Sequence, residues 1–279
     1  MNKNDLEFTG ERYVTSLHNE NTLEHLHRYA MACEFIKDKV VLDLACGEGY
    51  GTNLMSEYAS GIIGIDISET TINHARTKYR KDNLNFICAS AIKTTLDNHS
   101  VDVVVSFETI EHLVEQEEML VEILRVLKPK GLLIMSSPDK KFYSDLTGHI
   151  NSFHLKELYF HEFKGLLKKY FVNQYFLHQR IVYGSIINPE NGKDGLIFYI
   201  GNAEKINKIA SLPSAVYNIA LCSNGSVPEI GNTFFEDMSI IYNAYENMAN
   251  ALNSVLKSRT YILGKIILSP MRLLKKLLK

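Results

Sequence analysis

The sequence predicts an α/β fold, a mostly parallel sheet covered by helices on both faces, followed by a helical C-terminal extension. Three observations predict it. Short apolar runs alternate with segments of helical periodicity from Val40 to Ser136, an order that implies parallel strands joined by right-handed crossovers. The first run, VVLDL from Val40, leads directly into Gly47, Gly49 and Gly51. Such a strand, tight turn and helix lets main chain approach a ligand, because glycine tolerates positive φ and carries no Cβ. The second run, Gly61–Asp66, ends in an acid, the usual place for a carboxylate that grips a ribose diol.

Along the chain, Glu24–Ile36 carries Leu26, Tyr29, Ala30, Cys33 and Ile36 on one helical face. Helices are expected over 52–58, 67–80 and 114–127, and strands over 40–43, 61–66, 84–88, 101–107 and 132–136, with Lys128-Pro-Lys-Gly131 as a turn. A further helix is expected from His154 to Tyr170. Two β-rich stretches, Phe171–Ile187 and Leu196–Gly201, flank Asn-Pro-Glu-Asn-Gly-Lys-Asp-Gly and predict a hairpin. The division expected is a catalytic domain over 1–202, a connector rich in Gly, Ser, Asn and Pro over 203–232, and a helical extension over 233–279.

The bulk properties narrow the class. With 46% hydrophobic and 22% charged residues, the 279-residue chain can bury one substantial core. A formal net charge of −2 argues against a nucleic-acid partner. Cys33, Cys46, Cys88 and Cys222 have no paired or metal spacing, and the start has no apolar signal core. A cytoplasmic protein with reduced thiols is the expectation.

A second constellation follows the strand that ends at Phe107. Glu108, Glu111 and His112 come within one turn of chain, and two carboxylates with an imidazole at a strand tip make a candidate divalent-cation site.

The glycine turn with its following acid resembles the S-adenosylmethionine (SAM) site of class I methyltransferases, whose pattern is hh-D-x-A/G-x-G-x-G. The resemblance implies a Rossmann-like fold with a seven-stranded sheet whose last strand is antiparallel. It places Asp43 near the methionine amino group, Gly47 and Gly49 around the ligand, Asp66 on the ribose, and Ser90 and Ala91 beside the adenine, with Ile67 and Phe107 as further cofactor contacts. Related enzymes often have an acid where this chain has Ser90. Arg28 of the His27-Arg28 pair matches an arginine that holds the ligand carboxylate in some members, with Arg12 and Tyr13 behind it. The full E-x-x-E-H resembles the metal motif of ubiquinone-pathway O-methyltransferases and of small-RNA 2′-O-methyltransferases. In the latter a later histidine completes the site; His154 takes that place here and His149 is the reserve. The resemblance thus implies SAM, a cation such as Mg²⁺ or Mn²⁺ on Glu108, Glu111, His112 and His154, and His112 or His154 as base.

The runs FTGERY, EHLHRYA, VVSFETIEHL, SSPDKKFYSD and NSFHLKEL together resemble a bacterial methyltransferase group associated with glycosyltransferases and surface polysaccharides. That implies a sugar or glycolipid acceptor, with Asp139, Lys140, Tyr143 and Asp145 as candidate lining. A lipid-soluble phenol is the alternative acceptor, and a non-catalytic SAM-binding scaffold is the alternative of another class.

The extension has its own pattern. Phe234, Met238, Ile241, Tyr245, Met248, Leu252 and Val255 recur at steps of four and three, so residues 233–258 suit either a homo-oligomeric coiled coil or a helix packed on its own domain. No acid follows Glu246, whereas Lys257, Arg259, Lys265, Arg272, Lys275, Lys276 and Lys279 do. A basic amphipathic segment over 259–279 suits an anionic membrane surface or an acidic groove on a partner.

Overall fold

The computed structural model describes residues 20–182, 197–209, 212–265 and 267. Arg12, Tyr13, the expected hairpin turn and the end of the basic segment lie outside these residues. The chain divides into a large unit over Asn21–Phe235 and a small one over Glu236–Lys279.

The large unit begins with α1 (Glu20–Cys33) and then alternates: β1 (Val40–Leu44), α2 (Tyr50–Met55), β2 (Gly61–Asp66), α3 (Glu69–Lys78) and β3 (Leu84–Cys88). After β4 (Val101–Ser106) come a 3-10 turn at Ile110–His112, α4 (Gln116–Val126), β5 (Leu127–Pro138), α5 (Phe160–Tyr170) and β6 (Asn173–Gln179). Two short strands, β7 (Phe198–Gly201) and β8 (Ile206–Ile209), precede β9 (Tyr217–Ser223).

Seven strands form one sheet in the order β3-β2-β1-β4-β5-β9-β6, with β9 alone running against the rest. This is the Rossmann-like methyltransferase arrangement that the sequence predicts. Period-two alternation sends side chains to opposite faces. Leu42, Leu44, Val104, Leu133 and Met135 meet α4 and α5 on one face. Val41, Val103, Val105 and Ile134 meet α1 and α2 on the other. Asp43 shares parity with Val41, so its carboxylate points to the α1–α2 side.

Asp43 pairs with Gly64 on β2 and with Val105 on β4. The tips of β2, β1 and β4 therefore end side by side. Sheet order turns outward on either side of β1, which opens the crevice where ligands bind in open α/β sheets.

The expected domain end and hairpin need correction. β7 pairs only with β8, outside the large sheet, and the antiparallel strand is β9, inside the stretch expected as a connector. Between β5 and β6 it is buried on both faces, so its sequence, YNIALCS, shows no alternation. Pro213 and Ser214 just before it read as loop. The helix expected from His154 begins only at Phe160. The amides of Leu155 and Lys156 bond instead to the carbonyl of Glu111, at 2.9 and 3.0 Å, and the Glu162 carboxylate caps the Tyr159 amide at 3.0 Å.

In the small unit α6 (Met238–Lys257) is 20 residues long and is capped by Asp237, which accepts from Ser239 N at 2.9 Å. Tyr245, Met248, Leu252 and Val255 are exposed along it. Residues 259–265 are again helical. No described helix is long and apolar enough to cross a membrane.

Candidate active site

The turn after β1 places the first group of residues. Gly47 has φ +55°, and a Cβ built there would meet nothing within 4 Å. Positive φ is the local reason for glycine, and the open side leaves its amide region accessible to a ligand. Its N–H donates to Asp66 Oδ2 at 3.1 Å, while the Ser68 N–H donates to Oδ1 at 2.9 Å. The Asp66 carboxylate thus ties the tips of β1 and β2 together. Gly49, at φ +83°, starts α2 so close to Phe86 that a Cβ would lie 2.6 Å from the ring.

Asp43 is 1% exposed and accepts from Thr52 Oγ1 at 2.6 Å. Burial pushes its pKa up to about 7, against the opposing hydrogen bonds from Thr52 and Tyr29. Beyond Asp66, Ile67 is 71% exposed, an uncovered apolar side chain at the strand tip. Ser90 and Lys93 close the neighbouring loop, whose Ala91 packs on the core edge. Asp43, Gly47, Gly49, Asp66, Ile67, Ser90 and Ala91 therefore line the ends and loops of β1, β2 and β3. Phe107 is buried edge-on against Tyr29 at 5.1 Å and forms core rather than an open wall.

Arg28 is 1% exposed. Its Nη1 donates to Gln179 Oε1 at 2.8 Å, its guanidinium lies 4.9 Å from the Tyr217 ring and 6.0 Å from the Phe107 ring, and its Nε has no partner among the described residues. Burial opposes its charge, but Glu108, Tyr217 and Glu24 outweigh that and raise its pKa. Arg28 thereby links α1 to the tips of β6 and β9. Sequence reasoning missed Gln179 and Tyr217, because the order of the last strands was not legible.

The second group forms just beyond β4. Glu108 has φ +51°, and its carboxylate accepts from Ser136 Oγ at 2.5 Å. Three other candidates converge: Glu111, His112 and His154 each offer one ligand atom, all within 4.8 Å of one another. Glu108 stands outside that trio because Ser136 holds it, a correction to the four-ligand set. Its charge still reaches Glu111 and His154.

Glu111 is 1% exposed, and neither carboxylate oxygen has a hydrogen-bond partner among the described residues. Burial first, and then the charge of Glu108, raises its pKa well above the usual carboxylate range. A buried carboxylate without a donor is costly unless a proton or cation neutralises it. His112 Nδ1 lies 3.0 Å from the Phe153 carbonyl, which can only accept, so Nδ1 carries a proton, and Nε2 lies 4.0 Å from Glu111 Oε1. His154 packs edge-on against His112 at 4.9 Å and lies under the Tyr143 ring at 5.2 Å. Its burial lowers its pKa and favours the neutral ring.

The segment between β5 and α5 carries His154 in. Asp139 bridges Leu158 at its neck, and the bonds from Leu155 and Lys156 to the Glu111 carbonyl fix it beside the 3-10 turn. Of the four candidate acceptor residues only Tyr143 faces the histidines. Asp139 is bonded to Asn218 and to the Lys141 amide, Asp145 accepts from Tyr159, and Lys140 covers the Tyr159 ring. The reserve, His149, is exposed on the far side of Tyr143 and is not in the trio.

Residues 42–135 match the protein family described as "Methyltransferase domain", the span from β1 through most of β5. Over that span, about a third of the chain, the sequence is similar to methyltransferase domains. A "Probable S-adenosylmethionine-dependent methyltransferase" of Mycolicibacterium smegmatis is 35% identical over 166 residues, which cover 58% of this chain and 64% of the relative. The chain thus spans less than two thirds of that relative. A ubiquinone biosynthesis O-methyltransferase of Coxiella burnetii is 28% identical over 109 residues, covering 38% of this chain and 47% of the relative. Among solved structures, a SAM-dependent methyltransferase from Archaeoglobus fulgidus superposes with a TM-score of 0.53 at 21% identity, covering 73% of this chain and 94% of that one. Likeness at that identity is likeness of fold. The sheet extends beyond the matched span, since β6 and β9 complete it.

Proposed function

We propose that the chain is a SAM-dependent O-methyltransferase that presents its acceptor hydroxyl on a divalent cation held by Glu111, His112 and His154. The single observation that carries this is the buried Glu111 carboxylate, with no hydrogen-bond partner among the described residues and two imidazole nitrogens within 4.8 Å. The residues fit a cation: one carboxylate oxygen and two nitrogens suit Mn²⁺ better than Mg²⁺, which prefers oxygen alone. Bound there, a cation would supply Lewis-acid polarisation of a hydroxyl whose own pKa is far too high for attack.

The chain's residues supply the rest. Asp43, Gly47 and Asp66 at the tips of β1 and β2 hold SAM, and Arg28 is the candidate for its carboxylate. The sulfonium methyl is already activated, so the enzyme must mainly align an oxygen and relieve it of a proton. Nε2 of His112 or His154 is the atom that can take that proton. A lone pair committed to a cation is not free to do so, and at most one of the two rings serves as base while the other remains a ligand.

The acceptor we infer is a sugar hydroxyl of a cell-surface glycan or glycolipid precursor, on the resemblance of the longer runs. A glycosyltransferase is then the expected partner, and the inner face of the membrane the expected location of an otherwise cytoplasmic enzyme. A lipid-soluble phenol is the second reading, favoured by the ubiquinone-pathway relative. Turnover of polyprenyl-phenol against sugar-lipid acceptors separates them.

The cation reading is tested by Glu111→Gln. Calorimetry should show Mn²⁺ affinity reduced by more than the roughly 10–100-fold that changes behind a ligand cost, with SAM affinity within about threefold of wild type. Loss of SAM binding, or Mn²⁺ binding equal to wild type, refutes the assignment. No heat with SAM on the wild type would refute the enzyme reading and leave a SAM-type fold kept for oligomerisation alone.

A further inference from the structure

Against His154 lies a carboxylate that the cation trio does not use. Glu157 Oε1 is 2.6 Å from His154 Nδ1, and its other oxygen, Oε2, accepts from Ser144 Oγ at 2.5 Å. His154 and Glu157 side chains are 7% and 10% exposed. Resting on the reading of His154 as a cation ligand, we propose that Glu157 is a positioning residue: it keeps the proton of neutral His154 on Nδ1 and so turns the Nε2 lone pair toward Glu111 and His112.

The argument is one of donors and acceptors. Glu157 already accepts from Ser144 through its other oxygen, and the same carboxylate meets Nδ1 as acceptor, which makes that nitrogen the donor. The ring is packed by Tyr143, stacked at 5.2 Å, and by His112, edge-on at 4.9 Å. With Nδ1 protonated, the neutral ring has one lone pair left, on Nε2. His112 reaches the same state by other means, through the backbone carbonyl of Phe153. Two rings on separate segments are thus given the same tautomer by unrelated partners, a coincidence that anchoring the loop would not require. Ligating histidines commonly donate their second nitrogen to a carboxylate or carbonyl in this way.

Glu157→Gln separates positioning from support. The amide has nearly the shape of the carboxylate, yet it can donate to Nδ1 as well as accept from it. The full chain, labelled with ¹⁵N-histidine and free of metal, is read by two-bond ¹H–¹⁵N spectra, with His154 assigned by its absence from His154→Asn. The wild type should show Nδ1–H at His154, and Glu157→Gln should shift population toward Nε2–H. Mn²⁺ affinity of that variant should fall about 10–100-fold, with SAM affinity unchanged as the check on folding. Glu157→Asp, which can only accept, should keep Nδ1–H. An Nε2–H ring in the wild type overturns the proposal, and so does an unchanged tautomer in Glu157→Gln. Equal Mn²⁺ affinity in the two proteins overturns it as well. If neither protein binds Mn²⁺ but the tautomer shifts, Glu157 keeps its role and the cation reading alone fails.

Discussion

Replacing Asp43 by Asn should make stability less dependent on pH, by an amount that the structure sets. The carboxylate is fully enclosed between β1, α1 and α2, and burial lifts its pKa to about 7 from an ordinary value of 3.8. In the unfolded chain it is ionised above pH 4. Between pH 4 and 7 the folded state therefore holds a proton that the unfolded state has released, and stability falls as pH rises through that window. Each unit costs about 1.4 kcal/mol, so from pH 5 to pH 8 this one group removes on the order of 3 kcal/mol. Asn is near-isosteric and keeps both partners, since Thr52 can still donate to its oxygen and the Tyr29 hydroxyl can accept from its amide. Urea unfolding at pH 5 and pH 8 on both proteins gives a double difference in which all other titrations cancel. We expect the variant to gain on the wild type by roughly 2–4 kcal/mol between the two pH values. Parallel pH profiles would show that the carboxylate is not enclosed as described, and would refute the reasoning. If Asp43 faces the SAM ammonium, as proposed, binding reverses the effect: at pH 6 it should release close to one proton, read by calorimetry in buffers of different ionisation enthalpy, and almost none at pH 8.5.

Gly47→Ala should cost stability about 1 kcal/mol for its positive φ, yet lower SAM affinity at least tenfold, because the added methyl occupies the open side of the turn; isothermal titration decides, and unchanged affinity would place SAM elsewhere. Ending the chain at Ser258 should abolish co-sedimentation with anionic but not neutral phosphatidylcholine vesicles, and ending it at Asn232 should in addition leave a monomer by analytical ultracentrifugation. Unaltered sedimentation in either measurement rejects the corresponding role of 259–279 or of 233–258.

The parts of the fold that were legible in the sequence are those with a local cause. β1, β2 and β4 end where apolar runs meet Gly47, Asp66 and Glu108, and each of those residues changes the backbone at once. β9 was not legible. Enclosed on both faces it needs no alternation, and its antiparallel pairing joins Tyr217 to Gln179 on β6, 38 residues away, and to Pro138 on β5, 79 residues away. At the site the same distinction holds. Glu111 and His112 are neighbours, and their convergence follows from one 3-10 turn. Glu157 was not singled out: a helix was expected from His154, and only the bonds from Leu155 and Lys156 to the Glu111 carbonyl reveal that none forms there. Glu108 was misassigned for a reason no spacing encodes: the hydroxyl that takes it, Ser136, stands on the neighbouring strand.

The siting of charge argues for function independently of any likeness. Asp43, Glu111 and Arg28 are all at most 1% exposed, and all gather at the carboxyl edge of the sheet. Of the three, Arg28 has Glu108 and Glu24 nearby, while Glu111 feels the charge of Arg28 too weakly to offset its burial. Asp43 has hydroxyl donors alone, and Glu111 has none among the described residues. A core selected for stability would replace two such carboxylates by apolar residues, since burying them unpaired costs several kcal/mol. Two acids raised in pKa for the same physical reason, on adjacent strand tips, fit the proposed roles, an ammonium at Asp43 and a metal ion shared by Glu111, His112 and His154. If either acid were merely structural, its neutral isostere would stabilise the protein and leave binding untouched. The Asp43 and Glu111 variants therefore test the two halves of the site separately.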